Sequence, residues 1–140
     1  MRRRERLRVV ANEPIGPYSL IRVERGGLDP GIPGQFFMLE APGRPLPRPM
    51  SLCQAPPGEL SFLLEAVGPG TQALASALPG DEIHVFGPLG NGFRLEVLGT
   101  DSAAPTRRAR GGSAGASGRT PRLVGGGIGV APFPDLSERL

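Results

Sequence analysis

The sequence predicts an all-β domain, and three observations support this prediction. The 140 residues include 22 Gly and 17 Pro, and these turn-forming residues are spread among apolar runs. The strand-like runs recur with turn signals at the spacing of a small barrel. Only residues 71–78 show a helical period. About six strands and one short helix are therefore expected, in a chain with room for one sizeable core and not comfortably for two.

The predicted strands are separated by turns rich in Pro and Gly. The first two flank a turn at Asn12–Pro17, and the third follows a long turn over residues 26–34. The six predicted strands are Arg6–Ala11, Tyr18–Val23, Gln35–Glu40, Met50–Gln54, Leu60–Val67 and Glu82–Phe86.

The helical segment is predicted to run from Thr71 to Leu78. Leu74 lies four residues before Leu78, and the intervening alanines are strong helix formers. Thr71 is a suitable N-cap residue. Pro79 and the glycine after it are expected to end the helix.

The chain changes character after the sixth strand. Residues 1–98 are predicted to form the barrel domain. Residues 99–121 contain Ser, Ala, Gly, Thr and Arg with almost no apolar residues, which is typical of a flexible linker. Residues 122–140 begin with the strand-like Arg122–Val124 and are expected to be the first strand of a truncated dinucleotide-binding domain. Too few residues follow for the parallel sheet of such a domain.

Composition excludes several classes of site. Cys53 is the single cysteine, so the chain has no internal disulfide and no all-cysteine metal or iron–sulfur site. No apolar stretch reaches the ~20 residues of a membrane span, and no apolar signal core follows the N-terminal arginines. The net charge of +3 is small. We expect a cytoplasmic protein that binds neither membrane nor nucleic acid.

Two motifs could contact a phosphate. Arg48–Ser51 follows a proline-rich turn and combines a planar guanidinium, a backbone fixed by Pro49 and a short hydroxyl. Gly68–Thr71 leads into the predicted helix, where small residues and free N–H groups allow close approach of an anion. Taken alone, each has a structural explanation: a surface arginine beside a rigid turn, and an ordinary helix start.

Two further glycine-rich segments follow predicted strands. Gly87–Phe93 contains three glycines and an asparagine, a composition that favours left-handed backbone conformations or a tight turn. Gly125–Gly129 follows Arg122–Val124 and is similar to the first strand-to-helix turn of a dinucleotide-binding sheet.

The conjunction of these motifs resembles one family. Arg48–Ser51, Gly68–Thr71, Gly87–Phe93 and the run from Gly125 to Pro132 are similar to the electron-transfer subunits of bacterial dihydroorotate dehydrogenases, within the ferredoxin-reductase superfamily. The resemblance spans roughly residues 6–133. It implies a six-stranded antiparallel Greek-key barrel that binds FAD.

The resemblance also implies which residues hold FAD. They are Arg48, Pro49, Met50, Ser51, Gly70 and Thr71, with Leu63, Leu64 and Glu65 on the strand before the Gly-Thr helix start. The family often has Tyr-Arg where this chain has Leu64-Glu65. This difference removes an aromatic ring and reverses a charge, so contacts from Leu63–Glu65 are expected to be mainly through the backbone.

The wider role implied by the family is electron transfer in pyrimidine biosynthesis. Electrons from dihydroorotate oxidation pass to NAD, in a heterotetramer with a catalytic dihydroorotate dehydrogenase subunit. The family's nicotinamide domain and four-cysteine [2Fe–2S] site are not supported by this chain, so it is not expected to be active alone.

The sequence is compatible with other functions. The chain could be a non-catalytic barrel remnant, another ferredoxin-reductase-like flavin module or, less favoured by its 5% aromatic content, a nucleic-acid-binding barrel. Cys53 is interpreted as a small buried hydrophobic residue and His84 as a rim residue. No catalytic or metal-binding residue is assigned.

Overall fold

The computed structural model describes residues 2–94 and 127–139. Six strands form a closed antiparallel barrel in the order β1-β2-β5-β4-β3-β6. The strands are β1 (Arg3–Ile15), β2 (Tyr18–Glu24), β3 (Phe36–Glu40), β4 (Arg48–Gln54), β5 (Glu59–Glu65) and β6 (Glu82–Leu89). The helices are α1 (Pro69–Ala75), a 3₁₀ turn (Gly127–Val130) and α2 (Phe133–Arg139).

The strand order is that of a Greek key. Strands β3, β4 and β5 follow one another as neighbours, and β6 returns to pair with β3. The long β1 closes the barrel because its first half pairs with β6 and its second half with β2. The predicted six-stranded antiparallel barrel is therefore confirmed.

The core lies inside the barrel and under α1. Along most strands buried residues alternate with more exposed ones, as the period of a half-buried strand requires. The exceptions are β4, which buries both Leu52 and Cys53, and β5, which buries Leu60–Phe62 in a row. Phe37 and Phe62 meet edge to face near its centre, with ring centroids 5.6 Å apart. The largest fully buried side chains are Phe37, Phe62, Ile21, Leu39, Leu52, Leu60, Leu64, Leu74, Ile83, Val9, Val23 and Val85.

The first hairpin differs from its prediction. β1 continues through Asn12 to Ile15, so the turn is reduced to Gly16-Pro17, where Gly16 has a φ of 57°. Asparagine often forms turns, but the side chain of Asn12 makes hydrogen bonds that require it to lie on the strand. Its amide Nδ2 donates to the carbonyl oxygens of Leu74, Ala75 and Ala77 at 3.0, 3.0 and 2.9 Å. Asn12 therefore anchors the C-terminal end of α1.

Helix α1 begins earlier and ends earlier than predicted. Its N-cap is Gly68, and Pro69 occupies the first helical position, where a missing N–H costs nothing. The prediction of Thr71 as N-cap is wrong: Thr71 is the third helical residue. The helix ends at Ala75 with Ser76 as C-cap, whereas Leu78 is exposed.

The C-terminal described segment lies on the outside of the barrel. The 3₁₀ turn contacts β5, and α2 packs against β4. Ala131 and Asp135 are buried. The predicted linker 99–121 and the strand at Arg122–Val124 fall outside the described residues, so the domain boundaries stay a prediction. Within the described ranges, no helix is long and apolar enough to cross a membrane.

Candidate functional site

Arg48 and Gly70 form the centre of the candidate site. Arg48 starts β4, and its guanidinium lies directly over Gly70 in the first turn of α1. A Cβ atom on Gly70 would lie 2.8 Å from Nε of Arg48 and 3.1 Å from its Cζ and Nη2 atoms. Only glycine leaves room for the guanidinium at this distance. Arg48 and Gly70, which belong to separate motifs of the sequence, thus form one cradle.

The Arg48 guanidinium retains most of its hydrogen-bonding capacity. Its Nη1 donates to the carbonyl oxygen of Leu46 at 3.3 Å. In the described part of the chain, no carboxylate lies at ion-pair distance from it. An arginine with a planar fork of five donors and no acidic partner is suited to a phosphate or diphosphate.

Thr71 organises the helix start on which the cradle depends. Its Oγ1 accepts hydrogen bonds from the N–H groups of Val67 and Gly68, each at 3.0 Å, and donates to the Gly68 carbonyl at 3.0 Å. The Thr71 hydroxyl is therefore occupied within the chain. The N–H groups of Gly70 and Thr71 lie in the first turn, where a helix supplies no acceptor of its own.

The other three residues of the Arg48 motif divide between two faces of β4. Met50 is half-buried and packs against the barrel core. Pro49 and Ser51 are exposed on the outer face. Leu52 pairs with Phe62 of the antiparallel β5, so Ser51 lies beside the outward-facing Leu63.

The β5 residues of the predicted site also face opposite ways. Leu64 is 1% exposed and belongs to the core, so its side chain does not face a ligand outside the barrel. Leu63 is half-buried on the outer face, and Glu65 is exposed. The absence of an aromatic residue at position 64 therefore changes the core and not the outer surface.

Gly87–Phe93 is used for packing within the barrel. A Cβ atom on Gly87 would lie 2.5 Å from Cδ1 of Phe37 in the core. Gly90 has a φ of 76° and lies against the ring of Phe36, while Asn91 does not adopt a positive φ. The Phe93 N–H donates to the Pro33 carbonyl at 2.8 Å. The left-handed conformation expected in this loop occurs at Gly90.

Cys53 lies under the C-terminal segment and not in the barrel core. It is 5% exposed, close to Ser61 on β5 and Asp135 on α2. Burial raises the pKa of the Cys53 thiol, and the charge of Asp135 adds to this, whereas a hydrogen bond with Ser61 opposes it. The thiol is therefore held neutral, which agrees with its interpretation as a small buried residue.

The sequence did not predict two neighbours of the site, Tyr18 on β2 and the C-terminal described segment. Tyr18 on β2 pairs with Glu65, and its hydroxyl lies 3.8 Å from the position of a Cβ on Gly127. The C-terminal segment therefore extends along the outer face of β4 and β5 that carries Ser51. No group of three His, Cys, Asp or Glu residues suited to a metal ion occurs among residues 2–94 and 127–139.

Comparison with known proteins identifies relatives of the chain. The chain is 34% identical over 125 residues to the dihydroorotate dehydrogenase B (NAD(+)) electron transfer subunit of Clostridium perfringens, covering 89% of this chain and 42% of that protein. It is 35% identical over an alignment of 144 residues to the corresponding subunit of Geobacillus kaustophilus, covering 98% of this chain and 49% of that protein. The chain is a relative of these electron-transfer subunits. It spans about half the length of the curated relatives it matches, and no family model matches it.

Solved structures show the same fold at lower identity. The Amycolatopsis cytochrome P450 reductase GcoB superposes with a TM-score of 0.73 at 20% identity, covering 99% of this chain and 39% of that chain. An NADH-dependent reduced ferredoxin-NADP oxidoreductase gives a TM-score of 0.59 at 24% identity over 64% of this chain and 36% of that chain. The barrel is therefore ferredoxin-reductase-like, as the sequence motifs indicated.

Proposed function

We propose that this chain is the FAD-binding part of an electron-transfer subunit like those of bacterial dihydroorotate dehydrogenase. In this role it passes electrons from dihydroorotate oxidation towards NAD in pyrimidine biosynthesis. It would work in the cytoplasm, in a heterotetramer with a catalytic dihydroorotate dehydrogenase subunit. The names of the relatives and the ferredoxin-reductase-like barrel support this proposal.

The position of Arg48 over Gly70 carries the cofactor assignment. A guanidinium without an acidic partner attracts an anion, and the glycine under it lets the guanidinium lie against the buried first turn of α1, where the N–H groups have no acceptor within the helix. A diphosphate presents the oxygens that both sets of donors require. The cradle therefore fits the diphosphate of FAD, which links the flavin to the adenosine.

The remaining site residues would position the flavin part. Ser51 offers an exposed hydroxyl and Leu63–Glu65 a neighbouring main chain for the polar edge of the ring. Pro49 fixes the β4 backbone, while Met50 holds the strand on the core. When bound, FAD supplies hydride and one-electron chemistry, and the protein supplies orientation and electrostatics.

Iron–sulfur and nicotinamide binding are assigned to other parts of the intact assembly. A [2Fe–2S] centre is usually held by four thiolates, and this chain contains one cysteine, Cys53. We therefore propose that this chain holds the flavin and requires its partners for electron transfer.

A second candidate is a flavin module of another ferredoxin-reductase-like system. The superposition on GcoB over 99% of the chain favours keeping this candidate. The same cradle would bind FAD in both cases. Co-purification with a catalytic dihydroorotate dehydrogenase subunit, measured by size exclusion with FAD present, supports the first candidate, and failure to associate supports the second.

Titration of the 140-residue chain with FAD, followed by flavin fluorescence, tests the cofactor assignment. Arg48→Ala is expected to weaken FAD binding at least tenfold, because a charge-assisted hydrogen bond contributes about 1.5–3 kcal/mol. Arg44→Ala is the matched control, since Arg44 is exposed in the loop that precedes β4 and lies outside the cradle. A folded wild-type chain that binds no FAD would refute the proposal, as would equal affinities of the two variants.

A further inference from the structure

A cavity lies on the outer face of the barrel, on strands β1, β3 and β6. It has a volume of about 300 Å³. Met38 and Phe86, which face each other across the β3–β6 pair, form part of its floor. Pro45 and Pro47 of the β3–β4 connection form a wall. The lining includes neither Arg48 nor Gly70, so this cavity is separate from the cradle.

Three polar side chains from three strands converge at this cavity. Arg4 Nη2 contacts Glu40 Oε2 at 2.8 Å, and His84 Nδ1 lies 3.7 Å from Glu40 Oε1. The Arg4 side chain is 58% exposed, the His84 side chain 42% and the Glu40 side chain 21%. Glu40 is therefore the least exposed of the three and holds the Arg4 guanidinium by a hydrogen bond, while the His84 ring lies beside it.

The accessible charge favours an anion over a cation. Arg4 presents a fixed positive charge, and the contact with Glu40 uses one of its five N–H groups. A cation entering the mouth would meet Arg4 first and would compete with it for a carboxylate that is already compensated. A carboxylate entering the same mouth can accept hydrogen bonds from the remaining Arg4 donors.

The apolar walls of the cavity favour an anion that carries a flat apolar ring. Phe86, Met38 and the two proline rings offer apolar surface, and proline fixes the backbone of the wall. Pockets for organic ligands combine mostly apolar walls with a few convergent polar groups, and 300 Å³ lies at the small end of their range. A single ring suits this volume, whereas a hydrated inorganic ion would leave the apolar walls unused.

We propose that this cavity is a binding site for a small monocyclic carboxylate, with the ring between Phe86 and the proline wall and the carboxylate on Arg4. Glu40 holds Arg4 in place and does not contact the ligand. The proposal does not rest on FAD binding, because the two sites share no residue.

Ligand binding to the cavity can be followed by the NMR signals of the single histidine of the chain. His84 is the only histidine, so its ring signals in a proton NMR spectrum need no assignment. Benzoate is the probe, and it is expected to shift these signals with a Kd of about 1 mM, a value in keeping with the few atoms that contribute. Benzamide and benzylamine keep the ring and change the charge, while acetate keeps the charge and removes the ring. Each is expected to bind at least tenfold more weakly than benzoate.

Two arginine variants on one strand test the geometry. Arg4→Gln is expected to weaken benzoate binding about tenfold. Arg6→Gln is the matched control, because Arg6 is also exposed on β1 and paired with a glutamate, Glu82 at 3.2 Å, but does not line the cavity. Circular dichroism verifies that both variants fold. Equal affinities of the two variants would overturn the proposal, as would acetate, benzamide or benzylamine binding as tightly as benzoate.

Discussion

Two glycine-rich segments of this barrel look alike in the sequence and differ in what fills the space beside them. At Gly70 the missing side chain leaves room for the charged guanidinium of Arg48. At Gly87 and Gly90 it leaves room for Phe37 and Phe36, which belong to the barrel itself. The glycine beside Arg48 belongs to the proposed ligand site, whereas the glycines beside Phe37 and Phe36 serve packing. The identity of the neighbour therefore distinguishes the two roles.

The largest expected effect is on stability, at Gly87. Gly87→Ala would place a methyl group 2.5 Å from the Phe37 ring in the core, and the ring cannot move without displacing its neighbours. We expect a loss of about 1–3 kcal/mol in the free energy of unfolding, as for other overpacked cores. Urea denaturation measures this. An unchanged stability would show that this segment is not packed as described.

The second effect is on ligand binding, at Gly70. Gly70→Ala is expected to push the Arg48 guanidinium away and weaken FAD binding about tenfold, the loss of one charge-assisted contact. Gly68→Ala is the matched control, because a Cβ there meets nothing within 4 Å and its φ of −159° suits any residue. Fluorescence titration with FAD compares the two variants. If Gly68→Ala weakened binding as much as Gly70→Ala, the contrast between the two glycine segments would fail.

The smallest expected effect is on the pH dependence of stability, at Cys53. This residue lies under the C-terminal segment on β4, the strand that begins with Arg48. Because burial and the Asp135 charge raise the pKa of the folded Cys53 thiol, the unfolded chain ionises first as pH rises above the ordinary value of 9.0. The thiol's contribution to stability is therefore complete below pH 9 and is lost above it. The wild-type chain is therefore expected to be less stable at pH 10 than at pH 9. This difference should be absent in Cys53→Ala, measured by denaturation at both pH values; equal pH dependence in both proteins would place Cys53 in water.

The sequence predicts the strands well because each buries one face in the same core, and alternation records this directly. It fails where one side chain serves a distant segment. Asn12 is of a residue type that is common in turns, yet its hydrogen bonds to the carbonyl groups at the end of α1 keep it on a strand. Thr71 resembles an N-cap, but its hydroxyl satisfies the helix start from inside the first turn.

The sequence motifs propose residues for the candidate site but do not give their geometry. Arg48 and Gly70 each belong to a motif, but no local pattern shows that one lies over the other. The outer cavity left no signal at all, since Arg4, Glu40 and His84 come from three strands that become neighbours only when the barrel closes. Contacts of this kind depend on the register between paired strands, which cannot be derived from a single sequence.

The three hydrogen bonds of Asn12 have a consequence for protein engineering. Helix α1 has seven residues, too few to persist in water by its own propensity. Its first turn is held by Thr71 and its last by an amide on the opposite hairpin, whose two protons are shared among three carbonyl oxygens. Transplanting Gly68–Thr71 and Arg48 into another barrel would therefore not reproduce the cradle. The host would also need an amide donor at the position of Asn12.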